Sequence, residues 1–272
     1  METAPAPDSR RTAWSFVGSE RDMSMDRPAE IIRTRISLVD VLRGAALAAM
    51  VAYHFSWDLE LLELAPLDVT GNPRWIAFAW VIASSFLALA GVSLVLAHRE
   101  RLNARSFSRR LAMIAGAAGA ITLASWYFEP GGIILFGILH CIAASSILGL
   151  AFLRTPMPVV LITAAACFAA PALLTSPSFN APGWLWLGLA SEPRPSNDYV
   201  PLLPWFGMVL IGIAGARLAL ARASKAEWSR WQPRSAVSRM LALAGRHSLA
   251  VYLVHQPVLL GALWLVAKSG IW

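Results

Sequence analysis

The sequence predicts an all-α, polytopic membrane protein: a bundle of about seven transmembrane helices, with the amino end cytosolic and the carboxyl end outside. Three observations predict it. Charged residues are 14% of the 272, where a soluble domain carries about a quarter. Apolar runs long enough to cross a bilayer recur along the chain. Basic and acidic loops alternate between those runs, as the positive-inside rule requires of an odd number of spans.

Taken in order, residues 1–34 are polar, charged and proline-containing, without the short apolar core of a cleavable signal peptide. They read as a disordered cytosolic tail, and residues 35–272 as one transmembrane domain. Spans are expected at about 36–57, 75–97, 109–128, 132–153, 157–175, 200–221 and 247–267. The third is rich in small residues from Gly116 to Ala120, which suits close helix packing. Pro158 and Pro171 weaken the fifth. Arg33 and Arg35, then Arg99 to Arg110, then Arg154, then Arg217 to Arg246 mark the cytosolic loops. Asp58 to Asp68, then Glu129, then Glu192 and Asp198 mark the outer ones. Within the outer loop 176–199, Trp184 to Leu187 is too short to span and reads as an interfacial segment. Residues 222–240 read as a basic cytosolic loop whose Trp228 and Trp231 rest on anionic headgroups.

Composition narrows the function. The net charge of +7 lies in loops that set orientation, so it is no nucleic-acid footprint. Twelve Trp suit the membrane interface. Cys141 and Cys167 lie within apolar runs and read as buried small hydrophobes, with no metal-ligand spacing and no disulfide framework. No histidine pair has ligand spacing either, so no metal is expected.

The first span is the unusual one. It is apolar enough to cross, yet it carries Asp40, Arg43, His54 and Asp58. At about 100° per residue these four fall within an arc of roughly 60°, with Leu47 and Met50 on the same stripe. Arg43 and His54 lie roughly 16 Å apart along the axis. A plain reading pairs Asp40 with Arg43 at one interface and lets His54 and Asp58 cap the other end. The functional reading starts from the expense of ionisable groups in hydrocarbon, which makes them site candidates. A histidine with a carboxylate one turn away is a general-base pair, and Arg43 suits a phosphate or another anion. A cytosolic donor with an anionic head and a long thin arm would join the two ends, and coenzyme A has that shape. No Gly-rich nucleotide loop is present. His140 and His255, placed near mid-depth, are candidates for acceptor contacts or thioester polarisation, and Trp205 is a further candidate contact. His98 and His247 receive no role.

The stretch Arg35 to Asp58, with Asp40-Val41-Leu42-Arg43-Gly44 and Tyr53-His54-Phe55, resembles the first span of the heparan-alpha-glucosaminide N-acetyltransferase catalytic-domain family in its bacterial members. Phe136 to His140, Asp198 to Gly207 and Gly245 to Pro257 resemble its later motifs. Arg43 followed by ten residues and His54 also resembles the wider transmembrane acyltransferase group, where that Arg and His belong to the active site. The resemblance implies transfer of an acetyl group from cytosolic acetyl-CoA, a cosubstrate rather than a bound cofactor, to a sugar or envelope glycoconjugate across a bacterial inner membrane. It implies His54 as base and Arg43 in support of the donor; on the residues' own chemistry, Asp58 orients His54 and Asp40 pairs with Arg43 when no donor is bound. The lysosomal enzyme of the family carries its active His in the loop before the second span. Here that loop, Asp68 to Trp75, has none, so the role rests on His54. Two other readings stay open: a proton-coupled transporter with a His/Asp relay, and a non-catalytic envelope partner. The odd span count and missing repeat weigh against a transporter. A homo-oligomer is compatible with everything above.

Overall fold

The computed structural model describes residues 1–3, 36–98, 103–193, 196–223 and 231–269. Most of the polar tail lies outside the described residues, as do Arg99, Arg101, Lys225, Trp228 and Arg230. From Ile36 onward the described chain is helical: α1 (Ser37–Leu61), α2 (Pro73–Ala97), α3 (Ala104–Phe128), α4 (Ile138–Phe152), α5 (Met157–Leu174), α6 (Leu202–Arg222), α7 (Ala236–Arg246) and α8 (Ser248–Lys268). Six of these are long and apolar enough to cross a membrane, and α4 is a shorter apolar helix.

Local sequence explains the ends. Asn72 and Asn103 accept hydrogen bonds from the Arg74 and Ser106 amides, each 3.0 Å away, and so start α2 and α3. The Asn103 cap puts Arg105, Arg109 and Arg110 on the first turns of α3 rather than in a loop. Pro158 falls in the first turn of α5, where a missing N–H is harmless; only Pro171 lies inside that helix. α4 begins six residues later than expected from hydropathy. Residues 132–137 are held instead by the segment before α6, through Asn197 N–H to Gly132 O (3.3 Å) and Val200 N–H to Phe136 O (3.2 Å). In the long loop, Pro182–Leu187 forms a short 3-10 helix with Trp184 and Trp186 outward and Leu185 buried.

α6 packs against α2, α4 and α5. Leu87, Leu94, Cys141, Val160, Leu210 and Ile213 from these four helices form the main core. α1 joins this core through α2 and is flanked by α7 and α8. α3 packs on α4 and, like α8, leaves most of its apolar surface exposed, the pattern of helices that face hydrocarbon.

α7 is the main departure from the sequence expectation. Hydropathy places a cytosolic loop up to 240 and starts the last span at 247. The chain is helical from Ala236 and packs on α1 in the opposite sense, with Leu241 at Gly44 and Gly245 at Asp40; it turns at His247, and α8 then runs beside α1 in the same direction. Gln232 meets Ser37, Leu241 meets Gly44, and His255 meets His54. Arg239 and Arg246 hid this helix by lowering its hydropathy. Two features let it lie along α1: Gly44 and Gly245 bring the two backbones into contact, and Asp40 faces Arg246.

Candidate active site

The ionisable stripe of α1 turns inward. Asp40 and Asp58 are buried, and Arg43 and His54 are half-buried. These four groups belong to two separate clusters.

The first cluster is at the carboxyl end of α1. His54 and Asp58, one turn apart, face His255 and Gln256 of α8. The imidazoles of His54 and His255 stand edge to face with centroids 5.0 Å apart. The Gln256 amide donates to Asp58 Oδ1 at 2.6 Å, and Asp58 has no exposed surface. The expected His54–Asp58 pair is therefore corrected: the carboxylate holds α8 through Gln256, and no hydrogen bond joins it to His54. His255 Nδ1 sits 2.6 Å from the Tyr252 carbonyl. A carbonyl only accepts, so Nδ1 carries the proton and Nε2 keeps its lone pair. Pro257 follows directly and removes one helix hydrogen bond at this level of α8. Four buried atoms of this cluster have no hydrogen-bond partner among the described residues: His54 Nδ1, Asp58 Oδ2, His255 Nε2 and Gln256 Oε1. Buried polar atoms are ordinarily satisfied, and leaving one bare costs about 1–3 kcal/mol. Their concentration in one cluster of a membrane helix pair makes it the candidate site.

The second cluster is at the amino end of α1. Asp40 Oδ1 lies 3.4 Å from Arg43 and Asp40 Oδ2 lies 3.5 Å from Arg246 of α7. Arg43 also donates to the hydroxyl of Ser93 on α2. The expected Asp40–Arg43 pair is present, with a second guanidinium that the sequence reading had assigned only to a loop. Two guanidinium groups thus meet one carboxylate. Arg246 is 44% exposed and Arg43 24%.

Between the clusters lies an apolar layer. Leu47, Met50 and Ile82 are buried there, with Phe78, Phe86, Val251 and Tyr252 packed on them. The roughly 16 Å from Arg43 to His54 is thus filled by side chains.

Residues 35–257 match the model of one protein family, described as heparan-alpha-glucosaminide N-acetyltransferase, catalytic. The match covers more than four-fifths of the chain and reaches from the start of α1 through the His255–Gln256 turn of α8. The chain belongs to this family. No curated protein and no solved structure matches it.

This member of the acetyltransferase family is thus a multi-pass membrane protein of all-helical fold. Two of its sequence-singled residues stand apart from the clusters. His140 caps α4: its Nδ1 accepts from the Gly137 amide at 3.2 Å, and its Nε2 lies 3.3 Å from the Thr122 hydroxyl. Both of its nitrogens thus have partners on α3 and at the start of α4. Trp205, at the start of α6, packs edge-on against Trp80 at 5.7 Å.

Asp198, placed by the sequence among the acids of an outer loop, is half-buried between elements. Its Oδ2 accepts from the Ile138 amide (2.9 Å) and the Tyr252 hydroxyl (3.4 Å). Burial raises its carboxyl above the ordinary carboxylate value, against the pull of those two donors. It ties the start of α4 to the turn of α8 that carries His255. Gln256, Tyr252 and Arg246 were missed as site residues because nothing in their spacing marks them. Only their place beside Gly245, Pro257 and His255 in one short segment gave a signal. Among the described residues, no group of three His, Cys, Asp or Glu side chains could hold a metal ion.

Proposed function

We propose that this protein transfers an acetyl group from acetyl-CoA, held from the cytosolic side, to a sugar or envelope glycoconjugate at the opposite face of a bacterial inner membrane. The observation that carries the reading is the His54–His255–Asp58–Gln256 cluster of bare, buried polar atoms at one end of α1, in a chain of an acetyltransferase family. His54 acts as general base. It takes the proton of the acceptor hydroxyl or amine as the acceptor oxygen or nitrogen bonds to the thioester carbonyl carbon. The carbon–sulfur bond then breaks, and the thiolate leaves with the proton returned by His54. Arg43 and Arg246 supply the positive charge for the phosphates of the donor, with Asp40 as their partner when no donor is bound. A covalent acetyl-histidine route uses the same groups.

The test is acetyl-CoA turnover by purified protein in detergent, followed as thiol release with candidate amino-sugar and hydroxyl acceptors. His54→Ala in a folded variant is expected to lower turnover at least about 10²-fold. Undiminished turnover removes His54 from the chemistry. Proton-dependent solute uptake into liposomes without donor turnover overturns the enzyme reading in favour of a carrier.

A further inference from the structure

Asp58 does not bond His54, so the base needs another orienting partner. We infer that His255 is that positioning residue, an inference that rests on His54 being the base proposed above. Three observations converge. First, the Tyr252 carbonyl, 2.6 Å from His255 Nδ1, fixes the proton there, so His255 Nε2 can only accept. Second, His255 Nε2 and His54 Nδ1 are both buried and both lack a partner. Third, the ring centroids are 5.0 Å apart. Two imidazoles joined by one N–H···N bond have centroids about 5 Å apart, from a bond of about 2.9 Å plus the two ring radii. Small ring rotations therefore complete a bond from His54 Nδ1–H to His255 Nε2.

That bond sets the tautomer of His54. With Nδ1–H donated to His255, Nε2 is the lone-pair nitrogen offered to the acceptor. When Nε2 takes the acceptor proton, the Nδ1–H···Nε2 bond becomes charge-assisted and stabilises the imidazolium. The proton then passes from His54 Nε2 to the departing sulfur, and His255 holds the same proton throughout. Asp58 acts one step further away. By holding Gln256 it fixes the rotation of α8 that brings the adjacent His255 onto His54.

The test compares His255→Leu, His255→Gln and Asp58→Asn in turnover and in ¹⁵N-histidine NMR of the full chain in nanodiscs. His255→Leu is expected to lower kcat about 10²-fold or more with the acetyl-CoA KM within about twofold. His255→Gln, whose amide oxygen can still accept, is expected to recover at least a tenth of the lost rate. Asp58→Asn, which keeps an acceptor for Gln256, is expected to change kcat less than His255→Leu does. In the wild type, both His54 and His255 are expected to carry their proton on Nδ1. A severe Asp58→Asn beside a mild His255→Leu, or equal losses in folded Leu and Gln variants, overturns the inference. So does a His54 protonated on Nε2, an outcome readable without any variant. A protein that turns over no acetyl-CoA yet shows both Nδ1–H tautomers loses the proposed reaction while keeping the histidine pairing.

Discussion

Replacing Gly245 by alanine probes the contact on which the donor end depends. A Cβ built there lies 2.7 Å from the carbonyl carbon of Asp40, and one built at Gly44 lies 2.6 Å from that of Leu241. Non-bonded carbons rest at about 3.5–4.0 Å, so α7 must move away from α1 by about 1 Å. The clash is with backbone on both sides, so no side-chain rotation relieves it. Overpacking of this kind costs about 1–3 kcal/mol. The same shift lengthens the 3.5 Å Arg246–Asp40 contact and is expected to raise the KM for acetyl-CoA. Thermal unfolding in detergent can be followed with a thiol-reactive dye, because Cys141 and Cys167 are both free and buried. Gly116 and Gly119 of α3 serve as controls: their Cβ positions meet nothing within 4 Å. Alanine there is expected to be neutral or to stabilise by up to about 1 kcal/mol through helix propensity. If Gly245→Ala and Gly44→Ala unfold at the wild-type temperature, or the α3 controls do the damage, the packing of α7 on α1 is wrong.

Three further outcomes follow from the polar groups. Burial raises the carboxyl of Asp198, so the folded state binds its proton more tightly than the unfolded chain does. That contribution is fully present below the ordinary value of 3.8 and is lost as pH rises through the raised native value, so Asp198→Asn should flatten the wild-type decline of unfolding temperature across that window. Gln256→Leu removes the amide that donates to the fully buried Asp58 and is expected to destabilise by about 1–3 kcal/mol, measured as a lower unfolding temperature. Arg43→Gln should raise the KM for acetyl-CoA about tenfold yet leave that for acetyl-pantetheine, which lacks the nucleotide phosphates, nearly unchanged; equal effects on both donors would place the phosphates elsewhere.

Much of this was legible in the sequence because periodicity alone decides which face of a helix a residue occupies. The α1 stripe needed only the 3.6-residue repeat, and Asp40, Arg43, His54 and Asp58 face inward as that repeat requires. What each one touches was not legible. The i, i+4 spacing allowed a His54–Asp58 bond, but the neighbouring Gln256 took the carboxylate, and that competition is tertiary. α7 was hidden for a different reason. A hydropathy window charges Arg239 and Arg246 their full transfer cost, whereas in the fold Asp40 offsets Arg246 and Gly245 buries the backbone against Gly44. For His140 the local partners were not legible either: its ring accepts from the amide of Gly137 at the start of α4 and meets Thr122 of α3.

The apolar layer of Leu47, Met50 and Ile82 constrains how the two clusters can cooperate. A donor anchored by its phosphates at Arg43 and reacting at His54 must lay its arm through that layer, because both residues lie on one face of one helix. Aliphatic and thioether side chains suit the task better than polar ones would. They fill the space between the clusters. They also leave no hydrogen bond to break when they part. Met50, unbranched and adaptable, is the side chain best suited to yield. Its neighbour Tyr252 touches the same layer while its hydroxyl meets Asp198 and its carbonyl holds His255. An arm that displaced Tyr252 would therefore disturb the histidine pair as well.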